Sequence, residues 1–182
     1  MSQTSGVRPG GSAPAAYADV VPPIRPAAAA DVAGCQRLLV ATAAWLAAKG
    51  RPLWEPAELE PAVLSEAQAA GELFVCGNGG DPLAVMIVAH ADPLFWPDDP
   101  PGEAAYLHRL TVARHAAGRG LATRMIDHAG AVAFGRGCRW LKLDCDPRPE
   151  LVGLYARHGS ERVDEVTVGG IRAVRWRRPV RP

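Results

Sequence analysis

Residues 104–126 run as an apolar strand, then a glycine-punctuated bend, then a helical pattern that begins at Leu121. That order constrains the fold because it builds an anion site from main chain alone. Gly118 and Gly120 let the chain curl tightly and leave no Cβ in front of a ligand. The bend opens a helix, where first-turn N–H groups lack internal partners and the dipole is positive. Phosphate is the natural guest.

Neither of the two commonest nucleotide loops accounts for the pattern. A G-x-x-x-x-G-K-[ST] loop needs Lys followed by Ser or Thr, and these glycines have no such pair after them. A dinucleotide fingerprint asks for three glycines and an acid about 20 residues on. Ala122 occupies the third glycine's place and Asp144 falls near that distance. The bend, however, lies past the middle of the chain and follows a hairpin-like pair, where the fingerprint would open a βαβ repeat.

The rest of the chain supplies a sheet for this strand to join. Ile24-Arg25-Pro26 reads as a short strand, and periodic apolar positions predict helices over 29–49 and 61–70, ended by Gly50 and Gly71. Apolar runs at 72–76 and 82–91 flank a turn-forming Gly-Asn-Gly-Gly-Asp segment and predict a hairpin. Residues 92–102 hold four prolines and three aspartates, too irregular for helix or strand. Strands follow at 104–112 and 140–145, helices at 121–134 and 149–158, and a second hairpin at 162–168 and 171–177 about Gly169-Gly170. The order predicts a single α/β domain over residues 23–182, with a mixed, mostly antiparallel sheet flanked by helices. Residues 1–22, rich in Gly, Ser, Ala and Pro without periodicity, read as a flexible tail.

Bulk properties exclude several function classes. With 182 residues the chain suits one domain that buries roughly two-thirds of its unfolded surface. A net charge of +1 gives no electrostatic case for nucleic acid. No apolar run is long enough to cross a bilayer, and the first residues lack a basic stretch with an apolar core after it. Cys35, Cys76, Cys138 and Cys145 are scattered without a C-x-x-C pair, so neither zinc nor a disulfide framework is expected. No metal is called for, and a reducing, cytoplasmic setting is the expectation.

The bend and a distant Leu154-Tyr155-Ala156-Arg157-His158-Gly159 element together resemble the GNAT superfamily of N-acetyltransferases, over residues 24–178. The family's signature is [Q/R]-x-x-G-x-[G/A], with an L-Y-x-x-x-G-F element downstream. Two registers fit: Gly118 and Gly120 with His115 first, or Gly120 and Ala122 with Ala117 first. Neither supplies the usual Gln or Arg, and neighbouring Arg114 and Arg119 offer charge to phosphate instead. Ser160 stands where Phe is common, and Arg148 where Asn often precedes the helix. The resemblance implies a GNAT fold and acetyl-CoA as co-substrate. It places the diphosphate on residues 117–122 (Ala117, Gly118, Arg119, Gly120, Leu121, Ala122) and the pantetheine arm along the main chain of Leu110 and Val112. Read without it, Leu110 and Val112 are ordinary core residues. The two readings are compatible, since the ligand would use backbone while the side chains pack.

Acetyl transfer needs a held thioester, a neutral amine and a proton for the departing thiolate. Tyr155 matches the family's tyrosine, whose hydroxyl can serve as general acid. Otherwise it packs on Leu151 and Val152. Candidates for the base are Glu103, His108 and Asp144, with an already deprotonated amine as a fourth option. His108 titrates near neutrality and shares a face with Leu110 if alternation holds, unless a bulge intervenes. Glu103 precedes the strand, and Asp144 ends the adjacent one, where open-sheet ligands sit. Trp54, Phe95 and Trp96, with Trp45 nearby, flank the acceptor cleft by resemblance. With Glu55, Asp92, Asp98 and Asp99 they would suit a small cationic amine, although tryptophans also serve simply to fill cores. The leading expectation is acetyl transfer to a primary amine by direct attack in a ternary complex. Acylation of a hydroxyl or use of a longer acyl group is a second option, and a non-catalytic CoA-binding sensor or interaction module a third. Edge pairing near the C-terminus makes a homodimer an option.

Overall fold

The computed structural model of the protein describes residues 22–77 and 80–181. The expected tail over residues 1–22 lies outside these but for Pro22. Seven strands form one sheet: β1 (Ile24–Pro26), β2 (Leu73–Cys76), β3 (Ala84–Ala89), β4 (Ala104–Val112), β5 (Trp140–Cys145), β6 (Glu161–Val168) and β7 (Ile171–Pro179). Their order is β1-β2-β3-β4-β5-β7-β6, and every pairing is antiparallel except β4 with β5. The helices are α1 (Val32–Ala47), α2 (Pro61–Ala69), α3 (Leu121–Gly135) and α4 (Pro149–Arg157). Among the described residues, no helix is long and apolar enough to cross a membrane.

Strand alternation divides the core between the two faces of the sheet. Phe74, Met86, Val88, Leu107, Leu141, Leu143 and Val174 point toward α3 and α4 and join Met125, Ile126 and Tyr155. Leu73, Val75, Val85 and Ile87 point the other way, against α1 and α2 through Cys35, Leu39 and Leu64. β2 and β3 are apolar throughout because both of their faces are covered. Helix α1 sits flush on the β2–β3 connection. A Cβ on Gly34 would collide with the carbonyl oxygen of Gly80, so the close approach requires glycine there.

Two irregularities shape the middle of the sheet. Val85 pairs with Thr111 and Ile87 with His108, so three steps along β4 oppose two along β3. This is a β-bulge, and Arg109 at its centre has φ +52. Beyond it the alternation is reversed. Leu110 and Val112 pack with Leu107 on the α3 side, so Leu110 does not share a face with His108 as strict alternation would have it. The second irregularity is a splay. Parallel pairing of β4 and β5 covers only Ala104–Trp140, Ala105–Leu141 and Tyr106–Lys142. Past Tyr106 the strands part, and a wedge opens beside residues 107–112.

Candidate active site

Main chain at one end of the wedge forms an open bend. A 3₁₀ turn, Arg114–Ala116, carries β4 into it, and α3 leaves it. Gly118 and Gly120 have φ +79 and +73, in the left-handed region that favours glycine. A Cβ on either would meet nothing within 4 Å, so the protein itself does not fill the bend. Gly120 caps α3 without any side-chain hydrogen bond. The first backbone bond of the helix runs from the Arg124 N–H to the Gly120 carbonyl at 3.1 Å. Among the described residues, the N–H groups of residues 118–123 have no backbone acceptor, leaving a row of free donors at a positive helix end. Arg114 is held against α1, its guanidinium 3.9 Å from the ring centroid of Trp45, while Arg119 is exposed.

Deeper in the wedge, His108 stands between two carboxylates. Its Nε2 is 3.8 Å from Asp92 Oδ2 and its Nδ1 is 3.8 Å from Asp144 Oδ1. Both separations exceed a hydrogen bond, so they become strong contacts only when the imidazole is charged. Asp92 is aimed by its own loop. Its Oδ1 accepts the N–H groups of Leu94 and Phe95 at 3.2 and 3.1 Å, which leaves buried Oδ2 turned to His108 without a hydrogen bond. Burial lowers the His108 pKa, opposed by the charge of Asp92. Burial, reinforced by Asp92, pushes the Asp144 carboxyl up to about 7. Near neutral pH this group therefore holds a neutral imidazole next to a carboxyl in mid-titration, a combination suited to receiving a proton. The three side chains each present a donor atom within 4.8 Å of the others. Because two different ring nitrogens face the two acids, the set resembles a proton relay more than a cage around one ion.

Tyr155 approaches from the opposite face of the sheet. It is buried among the α3–α4 core, and its hydroxyl has no hydrogen-bond partner among the described residues. Burial chiefly, then the neighbouring Cys145 and Asp144, raises its pKa. A phenol so placed stays protonated and keeps a proton to give. Arg148, at the start of α4, donates to the carbonyls of Arg51 and Pro52 at 3.1 and 2.7 Å. It thereby ties down the segment that leads to half-buried Trp54.

Several expected site residues lie elsewhere. Glu103 precedes β4 at its far end, five residues from His108 or about 16 Å of extended strand. The structure therefore does not bring it to the His108–Asp144 group. Phe95 and Trp96 are buried with Ala104, Tyr106 and Ala173 and do not line an open aromatic wall. The Trp96 ring already carries two of the protein's own cations, Lys142 Nζ at 4.6 Å and the Arg175 guanidinium at 4.7 Å. Asp99 is likewise engaged, accepting from the Tyr106 hydroxyl and Lys142 Nζ at 2.6 Å each. Sequence reasoning passed over Arg109, and it counted Asp92 only among the acids, with Glu55, Asp98 and Asp99, that would suit a cationic amine. The Asp-Pro turn was the one local signal for Asp92, and nothing in the strand pattern announces the bulge.

The sequence profile of the Acetyltransferase (GNAT) family matches residues 33–159. The chain is 32% identical over 144 residues to the Uncharacterized N-acetyltransferase YesJ of Bacillus subtilis (strain 168), covering 75% of this chain and 79% of that protein. A GNAT-family acetyltransferase from Listeria monocytogenes 4b F2365 superposes with a TM-score of 0.69 at 24% identity, over 86% of this chain and 93% of that one. Rv2747 of Mycobacterium tuberculosis, solved in complex with CoA and NLQ, gives a TM-score of 0.58 at 20% identity, over 79% and 74%. The match to the family profile spans more than half the chain and includes the wedge, the bend and the Tyr155 helix: the protein is an acetyltransferase of the GNAT family.

Proposed function

We propose that the protein transfers an acetyl group from acetyl-CoA to a primary amine by direct attack in a ternary complex. Acetyl-CoA is the co-substrate of this family, and it supplies an activated thioester. The open bend at 117–122 fits its diphosphate, since glycines keep the mouth clear and free amides face it. Leu110 and Val112 lie past the last β4–β5 pair, so the edge of their main chain that faces the wedge would serve the pantetheine arm. An N–H near Leu110 would polarise the acetyl carbonyl, an oxyanion role in its simplest form.

His108 accepts the proton that the attacking amine must shed, steadied as an imidazolium by Asp92 on one nitrogen and Asp144 on the other. Tyr155 donates to the leaving thiolate from across the sheet. The observation that carries this reading is His108 set between the carboxylates of buried Asp92 and half-buried Asp144, in the same wedge that ends at the open bend. All four cysteines are free and buried, which suits the reducing cytoplasm where we place the reaction. Thiol release from acetyl-CoA, followed across a panel of primary amines, tests the proposal. We expect release that saturates with amine and falls on the order of 100-fold in His108→Gln, with acetyl-CoA affinity retained. Tight acetyl-CoA binding with no release above hydrolysis for any amine would overturn it in favour of a CoA-binding sensor.

A further inference from the structure

The β4 bulge turns two consecutive side chains, His108 and Arg109, onto the same side of the sheet. His108 meets Asp92 and Asp144 there, and Arg109 meets Glu58 on the 3₁₀ turn Pro56–Leu59. Among the described residues Arg109 is the one non-glycine with positive φ, a strained backbone that aims a specific side chain. The guanidinium is 16% exposed yet lightly held. Among the described residues its single partner is Glu58 Oε1, at 3.5 Å from Nη2. By contrast, Arg175 grips Asp164 with two nitrogens and Phe95 O with a third, and Arg178 has three acceptors. Glu58 is a weak anchor as well. It is 42% exposed, and its other oxygen accepts the N–H of Glu55 at 2.8 Å. Arg109 thus keeps a donor fork available within the acceptor side of the wedge, next to a proton-accepting group.

We propose that the acceptor carries a carboxylate close to its amine, as a free amino acid does, and that Arg109 binds that carboxylate by displacing Glu58. This rests on the acetyl-transfer reading above. A guanidinium matches a carboxylate with two parallel hydrogen bonds, and the amine at the other end of so short a molecule then faces His108. A polyamine has no group for Arg109 and would meet its charge as repulsion. The Arg109 charge acts on both His108 and Asp144, so anion site and base share one end of the wedge.

The test uses the full chain saturated with CoA and the free L-amino acids. Leucine, phenylalanine and histidine are each paired with the amine that lacks the carboxylate (isoamylamine, phenethylamine, histamine). Binding is read by calorimetry, and thiol release separately with acetyl-CoA. We expect at least one amino acid to bind about 30-fold more tightly than its decarboxylated partner, the range of a charge-assisted pair. Arg109→Gln should bring the two within about threefold, Arg109→Lys should restore part of the gap, and Glu58→Gln, on an exposed turn, should tighten amino-acid binding. CoA binding by each variant reports that it is folded. Equal binding within every pair, no amino-acid binding at all, or a preference untouched by both Arg109→Lys and Glu58→Gln would overturn the proposal. Amino-acid binding that depends on Arg109 but gives no thiol release would uphold this site and refute the acetyl-transfer reading instead.

Discussion

Asp144 holds its proton until about pH 7, and that sets when the imidazole beside it can work. The rate kcat/KM should rise with pH through a limb near 7, as Asp144 becomes anionic and supports His108 as a proton acceptor. In Asp144→Asn that charge is gone, His108 remains depressed by burial, and the limb should move to lower pH with a smaller maximum. A pH profile of thiol release for the two proteins decides this, and coincident profiles would remove Asp144 from the mechanism. Tyr155→Phe should lower kcat on the order of 100-fold with little change in melting temperature, since the hydroxyl bonds to no described residue. His108 and Asp144 were legible in the sequence because strand position and residue type sufficed to nominate them. Asp92 was hidden because its approach depends on the path of a proline-rich loop 16 residues upstream. Arg109 was hidden for a different reason: only a bulge sets two neighbours on one face.

At the scale of elements, the bend and the helix packing give separable outcomes. Gly120→Ala places a Cβ where the protein has nothing within 4 Å, so its effect on folding comes from φ +73 alone, about 1 kcal/mol. We expect a melting temperature lowered by a few degrees and an acetyl-CoA affinity reduced by at least about tenfold, because the new methyl stands at the ligand's approach. Gly34→Ala should act on stability and not on the ligand, because its Cβ meets backbone of the β2–β3 connection that cannot step aside. Stability in urea should fall by about 1–3 kcal/mol, with affinity for acetyl-CoA retained in the folded fraction. Strand and helix bounds were readable from apolar periodicity and glycine punctuation, and β4 and β5 fall on their expected residues. The splay between those two strands was not readable, since it depends on how far a pairing persists and leaves no mark on either strand's composition.

Over the whole molecule, a sheet covered on both faces holds a titrating group on one of them, so folding and chemistry share a pH dependence. The Asp144 carboxyl is raised from 3.8 to about 7 on folding. Its contribution to stability is therefore fully present below about pH 4 and is lost as pH rises through 7. The wild type minus Asp144→Asn difference in unfolding free energy should fall across that window and level off above it. A flat or rising difference, measured by urea denaturation at several pH values, would contradict the burial of this carboxyl. The mixed, mostly antiparallel character of the sheet was foreseen from the sequence of elements, because hairpin turns and short connections admit few topologies. The division of polar groups between the two faces was not, since one bulge decides it.

On the proposed reading, the amides of residues 118–123 grip the diphosphate of coenzyme A. Backbone amide resonances of the isotopically labelled protein, followed during titration with CoA, test it directly. We expect the largest shifts, and the greatest slowing of hydrogen exchange, at Gly118 through Thr123, with smaller changes along residues 110–112. Saturable CoA binding that leaves those six amides unmoved would contradict it.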